Sequence, residues 1–322
     1  MAEPSAPLSA LVLGASGGLG KRLAARLDQE DIHSNVVRAC SPASKGSKRS
    51  DGCVPVDLKS GEGLEYALHL CTAGHCCLHT VVLCAALSSP AECEQNPEIA
   101  NAVNVPSVIV NYLLQQYAQS DLPLFIFLSS DNVFSGNISE SISGKAWSKV
   151  DIPAPINVYG QTKLCAEQLL QRKWPSDKLN IFRSSVIIHE DNGFLNMITS
   201  KVRAGTEVKL VAEKRSFVDA QDLIDGIVKG IVWRVSATSS PPDIVINAGG
   251  PESISRIELG DRVARALDGS ESGLIVSASA EEIRRGYNSP ANLTMDTSAF
   301  QKLLGKQRAI NSSRLKELIS IT

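Results

Sequence analysis

The chain has 322 residues, 43% hydrophobic and 20% charged, with 32 Lys and Arg against 34 Asp and Glu, a formal charge of -2. That balance supplies no basic excess for a phosphate backbone and argues against nucleic-acid binding as the main task. The longest apolar runs, such as residues 79–87, are too short to cross a bilayer, and the opening MAEPSAPLSA lacks the basic-then-apolar order of a secretory leader. A cytoplasmic protein without membrane attachment is expected.

In chain order, strands are expected over residues 9–15, 35–40, 80–86, 124–129, 180–188 and 243–248. These runs are rich in Val, Ile, Leu and Phe with little polar alternation, as strands covered on both faces should be. Helix-period segments lie between them at 18–30, 61–72, 105–119, 159–174 and 219–234. Strand and helix in repeated alternation predict an α/β fold: a doubly wound parallel sheet of the Rossmann type. After residue 188 the alternation breaks. Helices are expected at 194–204, 255–267, 280–287 and 313–319, and the Ser/Gly-rich stretch 135–149 reads as a surface loop. The expected division is an NAD(P)-binding domain over residues 1–188 plus 216–248. A smaller discontinuous substrate lobe would take 189–215 plus 249–322.

The eight cysteines stand at 40, 53, 71, 76, 77, 84, 93 and 165, several inside apolar runs, and read as reduced thiols. The stretch CTAGHCCLH at 71–79 matches no paired C-x-x-C spacing and leads directly into a strand, so no metal site is expected.

Chemistry enters first at Gly14-Ala15-Ser16-Gly17-Gly18-Leu19-Gly20, directly after the first strand and opening a helix. Glycines there allow a tight turn and close approach of the backbone to a pyrophosphate, which the free N–H groups of the helix N-terminus then hold. Gly14, Ser16, Gly17, Gly18, Leu19 and Gly20 are therefore the expected dinucleotide contacts. An NAD site would place an acid at the end of the second strand to hold the ribose 2′-hydroxyl. Residues 35–41 carry none, but they carry Arg38, followed by Lys45, Lys48 and Arg49. A guanidinium accommodates a 2′-phosphate, so NADP(H) is favoured over NAD(H), with NAD(H) left open and a plain solvated basic loop as the bland alternative. Asp57 and Leu58, closing a short strand, are placed where an adenine edge would lie, and Ala85 and Ala86 leave room beside the cofactor.

Tyr159 and Lys163 are four residues apart on an expected helix and share one face. An ammonium there favours phenolate and suits the tyrosine to proton transfer near neutral pH. By itself Y-x-x-x-K is usually a surface pair. Here the strand ending in Ser129-Ser130-Asp131 precedes it, and a hydroxyl at Ser130 can hydrogen-bond a carbonyl oxygen together with the tyrosine.

Together the glycine turn GASGGLG, LCAA at 83–86, Asn104-Val105, LSSDNVF at 128–134 and DIPAPINVYGQTKLCAE at 151–167 resemble an extended short-chain dehydrogenase/reductase. Within that superfamily the chain is similar to the dTDP-4-dehydrorhamnose reductase family, which includes the regulatory beta subunit of methionine adenosyltransferase. The resemblance implies that Ser130 polarises a substrate carbonyl, Tyr159 donates the proton, and Lys163 binds the nicotinamide ribose and tunes Tyr159. Asp131 matches an acidic position used near the substrate, and Arg183 and Arg215 match basic positions that are either substrate ligands or structural ion pairs. The implied substrate is a keto group of a nucleotide-linked sugar or a related carbonyl, and family members often form homodimers.

Some residues depart from the family. Pro106 should kink or start a helix that family members run unbroken. The loop 134–151 is longer than usual, and Ile187-Ile188 stands where reductases tend to carry aromatic residues. The alternative reading is an NADP-binding regulatory subunit whose partner is a methionine adenosyltransferase catalytic subunit. It retains the same serine, tyrosine and lysine, so those motifs do not separate the two; the short stretch after the terminal helix favours the enzyme.

Overall fold

The computed structural model describes residues 7–42, 52–136, 146–236, 243–268, 273–283 and 286–320. Seven strands form its main sheet: β1 (Leu8–Leu13), β2 (Asn35–Cys40), β3 (Val54–Pro55), β4 (Cys77–Leu83), β5 (Leu124–Ser130), β6 (Leu179–Ser184) and β7 (Val245–Ala248). Their order is β7-β6-β5-β4-β1-β2-β3, and β1 pairs in parallel with β2 and β4, β2 with β3, and β4 with β5. The helices are α1 (Gly18–Leu27), α2 (Leu64–Thr72), α3 (Pro90–Gln95), α4 (Pro97–Asn104), α5 (Ser107–Gln116) and α6 (Val158–Lys173). After them come α7 (Gly193–Arg203), α8 (Ala220–Ser236), α9 (Arg256–Asp268), α10 (Ala280–Ile283), α11 (Ser298–Leu304) and α12 (Ser312–Ser320). None is long and apolar enough to cross a membrane among the described residues.

The chain divides into two compact units. The first takes residues 1–129, 162–182 and 224–245 and holds most of the sheet. All seven residues of β5 are buried, which explains its unbroken apolar run. Leu11, Leu83, Phe125 and Phe127 from the strands pack with Ala67, Leu113 and Leu170 from the helices and with Trp174 just past α6.

The second unit takes residues 130–161, 183–223 and 246–322. Its core joins Ile188, Leu195, Ile198 and Phe217 to Leu259, Val263, Leu315 and Leu318. Three small sheets brace it. Ile187–Ile188 pairs with Val218–Asp219, Val208–Leu210 with Ile275–Ser277, and Lys214–Arg215 with both Ile254–Ser255 and Asn292–Leu293.

Several expectations shift. The second unit is discontinuous, and it also gathers 130–161, 183–188, 216–223 and 246–248, which the sequence places in the nucleotide-binding domain. The reason is local: Trp147 N–H donates to Thr294 O, Asn157 Nδ2 donates to Asn288 O, and Asn292 N–H donates to Gly136 O. The strand expected over 180–188 ends at Ser184, where Ser185 N–H turns to Ala248 O. The helix expected over 105–119 breaks at Pro106, which has no N–H to continue α4; Val105 before it is extended (φ -95°, ψ 109°). Of the expected helix 280–287, Ala280–Ile283 is helical. Of the loop at 135–149, residues 137–145 lie outside the described residues.

Candidate active site

The glycine turn is built by backbone. Gly14 N–H and Ala15 N–H both donate to Ala39 O at 2.9 Å, which hooks the end of β1 onto β2. Gly14 holds φ +92°, and a Cβ there would stand 2.5 Å from Ala85 N; one on Gly20 would stand 2.2 Å from Gly14 O. These two glycines are required by the packing of the chain itself. Gly17 is not. A Cβ on it would meet only Gly14 O, at an ordinary 3.4 Å, yet it is the exposed N-cap of α1 and leaves the helix's first N–H groups without a side-chain cap. An open glycine before uncapped helical N–H groups suits a phosphate group. Ser16, Gly18 and Leu19, half-buried in the same turn, complete it.

Beside this turn lies a cleft of about 480 Å³ lined by Gly14, Cys40, Asp57, Leu58, Ala85 and Ala86, among others. Asp57 Oδ1 accepts from Lys59 N–H at 2.8 Å, and Lys59 also lines the cleft. Where β2 ends, the lining among the described residues is Ala39, Cys40, Ser41 and Pro42, with no carboxylate. These residues fit a dinucleotide. Arg38 does not line the cleft. Its guanidinium pairs with Asp28, just past the end of α1, and donates to Val36 O at 3.2 Å. It stands two residues before the end of β2, where Asp28 holds its guanidinium. Lys45, Lys48 and Arg49 lie outside the described residues.

Lys163 sits in α6 at 2% exposure, donating to Leu128 O at 2.8 Å, with its ammonium 4.8 Å from the centroid of the Phe127 ring. Burial pulls its pKa down to about 8. Asn104, which sequence reasoning placed only as a family match, is buried at the end of α4. It accepts from Leu87 N–H at 2.7 Å and donates to Leu87 O and to Thr162 Oγ1 at 3.1 and 3.0 Å. A lone polar residue before Pro106 was the available signal. In the stretch 71–79, burial pushes the Cys71 thiol up to about 12. Among the described residues no group of three or more His, Cys, Asp or Glu is arranged to hold a metal ion.

At the carboxyl end of β5 the second unit begins with a tight polar turn. Ser130 Oγ donates to Asp131 Oδ1 at 3.2 Å and accepts from Asn132 N–H and Nδ2, each at 3.2 Å. Asn157 ties this turn to the start of α6: Nδ2 donates to Asn132 Oδ1 at 3.3 Å, while Oδ1 accepts from Gly160 N–H at 2.8 Å. A Cβ on Gly160 would stand 2.1 Å from Asn132 O, so the first turn of α6 rests directly on the polar turn. Half-buried Tyr159 is carried in that first turn. Asn132, Asn157 and Gly160 were not singled out from the sequence, because only the folded chain brings them together.

Asp131 and Arg215 are both buried, and their nearest charged atoms are 3.1 Å apart. The contact is a charge pair rather than an aligned hydrogen bond: Asp131 Oδ2 and Arg215 Nη1 and Nε have no hydrogen-bond partner among the described residues. Glu213 lies 3.8 Å from the far side of the guanidinium and also takes Arg256 Nε at 2.8 Å. Arg183 is buried with its guanidinium carbon 5.1 Å from the Phe134 ring centroid. Phe134 in turn stacks on Trp147, centroids 5.0 Å apart. An aromatic pair that Ile187-Ile188 does not supply is thus present within the same unit, from Phe134 and Trp147.

The model of the RmlD substrate binding domain matches residues 8–322. The chain belongs to this family of extended short-chain dehydrogenase/reductases. The methionine adenosyltransferase 2 subunit beta of Mus musculus is 25% identical over 323 residues, spanning 95% of this chain and 86% of that protein. The dTDP-4-dehydrorhamnose reductase of Escherichia coli (strain K12) is 30% identical over 135 residues, 42% of each chain. Among solved structures, dTDP-4-dehydrorhamnose reductase from Bacillus anthracis in complex with NADP superposes with a TM-score of 0.73. That match covers 98% of this chain and 99% of that one, at 19% identity, a likeness of fold.

Proposed function

We propose that this RmlD-family chain is an NADP(H)-dependent reductase acting on a keto group of a nucleotide-linked sugar or a related carbonyl. The observation that carries the reading is the placement of two different turns on one sheet: the open glycine turn follows β1, and the Ser130–Asn132 turn closes β5. In an open α/β sheet, the carboxyl ends of the strands are where ligands bind. NADP(H), when bound, supplies the hydride. Gly14, Ser16, Gly17, Gly18, Leu19 and Gly20 would hold its pyrophosphate, with Asp57 and Leu58 at the adenine and Ala85 and Ala86 beside the chain of the cofactor. Ser130 would turn its hydroxyl proton from Asp131 Oδ1 to the substrate carbonyl oxygen, and the Tyr159 phenol would give that oxygen its proton. Lys163, one helical turn along α6, carries the charge that favours the phenolate left behind.

The preference for NADP(H) rests on the end of β2, where among the described residues no carboxylate stands to repel a 2′-phosphate. Arg38 sits away from that end, so the discrimination is assigned to the rest of the cleft. Asp131 and Arg215 neutralise each other beside Ser130 and keep a bare charge away from the reacting oxygen, while Arg183 remains the candidate contact for an anionic part of the substrate. The test is oxidation of NADPH, followed optically, against a panel of 4-keto nucleotide sugars. Turnover of none of them would sink the reductase reading.

One observation favours a second reading. A relative that spans 95% of the chain is named a methionine adenosyltransferase subunit, whereas the match to the Escherichia coli reductase spans 42%. A regulatory subunit would bind NADP(H) through the same cleft and associate with a methionine adenosyltransferase catalytic subunit. Co-purification with that catalytic subunit, without turnover on the sugar panel, selects this reading.

A further inference from the structure

Lys163 is a buried cation, and the first question is what keeps its proton on. Its ammonium donates to Leu128 O and lies against the Phe127 ring, neither of which carries a charge. Three titratable groups act on it electrostatically: Cys84 beyond β4, Cys93 on α3, and Glu167 on α6. Burial pushes the Cys84 thiol up to about 12 and the Cys93 thiol, flanked by Glu92 and Glu94, up to about 11. Both are neutral thiols at physiological pH. Glu167 is the one carboxyl group of the three.

Glu167 has a place built for it. It lies one helical turn beyond Lys163, is 1% exposed, and accepts a hydrogen bond from Ser129 Oγ on β5. A carboxylate buried this deeply persists only with a donor and an opposite charge nearby, and the same is true of the ammonium. The Ser129 bridge fastens α6 to the residue just before Ser130, so one contact fixes both the carboxylate and the strand end.

We propose that Glu167 is a positioning residue: through the Ser129 bridge it sets a buried negative charge behind Lys163 and holds that lysine protonated. The inference rests on the reductase reading only for its catalytic meaning, since the proton on Lys163 can be read without substrate or cofactor. Its test is an NMR titration of the full chain with carbon-13-labelled lysine, the Lys163 signal being assigned by its loss in Lys163→Met. Glu167→Gln should move the Lys163 midpoint down from about 8 by about one pH unit, because the desolvated ammonium loses its counter-charge. Glu167→Asp should restore part of the shift. Ser129→Ala keeps the carboxylate but frees it, and should move the midpoint in the same direction by less; it also decides the matter where Glu167→Gln does not fold. An unchanged midpoint in Glu167→Gln, or in Ser129→Ala where only that variant folds, overturns the proposal. NADP titrated in parallel separates the two claims: loss of NADP binding in the unaltered chain overturns the reductase reading and leaves the lysine midpoint to judge this one.

Discussion

Arg215 Nη1 stands 3.1 Å from Asp131 Oδ2, and neither side chain is more than 3% exposed. Two residues that the family resemblance placed near a substrate are each other's counter-charge. Removing one partner leaves the other buried and unpaired. Arg215→Met is expected to cost about 3–5 kcal/mol of stability, and adding Asp131→Asn to it should recover a large part. Urea unfolding of the two single variants and the double variant measures the coupling. A cost below about 1 kcal/mol for Arg215→Met would show that the pair is not acting as a buried ion pair.

Tyr159→Phe removes the phenol and nothing else from the first turn of α6. Reduction of any accepted carbonyl should fall by a factor of about 10² or more, while NADP binding changes little. Retained turnover in this variant takes Tyr159 out of the proton-donor role.

Among the described residues the cleft carries no carboxylate at the end of β2. NADPH should therefore raise the melting temperature more than NADH at equal concentration. Because the Arg38 guanidinium is engaged with Asp28, Arg38→Ala should leave that order unchanged. Equal shifts from both cofactors contradict the NADP(H) assignment, and a reversal confined to Arg38→Ala would bring Arg38 back to the cofactor.

His33 is buried, with Nε2 3.0 Å from Thr80 Oγ1 and its ring 5.7 Å from that of His79. Burial, and to a lesser degree His79, lowers its pKa from 6.5 to about 4. The folded chain therefore binds fewer protons here than the unfolded chain does. The stability is present in full above pH 6.5, and is lost as the pH falls from there to about 4. The loss amounts to about 3 kcal/mol if the whole difference is expressed. Unfolding free energies at pH 7, 5.5 and 4.5 should follow that slope, and His33→Gln should flatten it. Equal slopes in the two proteins would remove His33 as the source.

Much of this molecule was legible before folding because its signals are local. A β-strand buried on both faces shows itself as an unbroken apolar run, which is why β1, β2 and β5 were placed to within a residue or two. The glycine turn was readable because only glycine satisfies the close approaches at Gly14 and Gly20, and the Tyr159–Lys163 spacing because one helix carries both. The breaks were harder. Pro106 signalled its own, but the end of β6 at Ser184 depends on Ala248, 63 positions away by sequence number, accepting the next N–H.

What the amino-acid order determined by itself is the alternation of strand and helix and the residue types offered at each strand end. Those follow from short-range sterics, periodicity and the demand to bury apolar side chains. Where each charge finds its partner was decided only by the tertiary structure. Arg38 turned to Asp28 and away from the cleft, Asp131 met Arg215 from 84 positions further on, and Glu167 reached Ser129. Charges and hydrogen bonds act across space on whatever the fold brings within a few ångströms, and sequence distance carries no record of that.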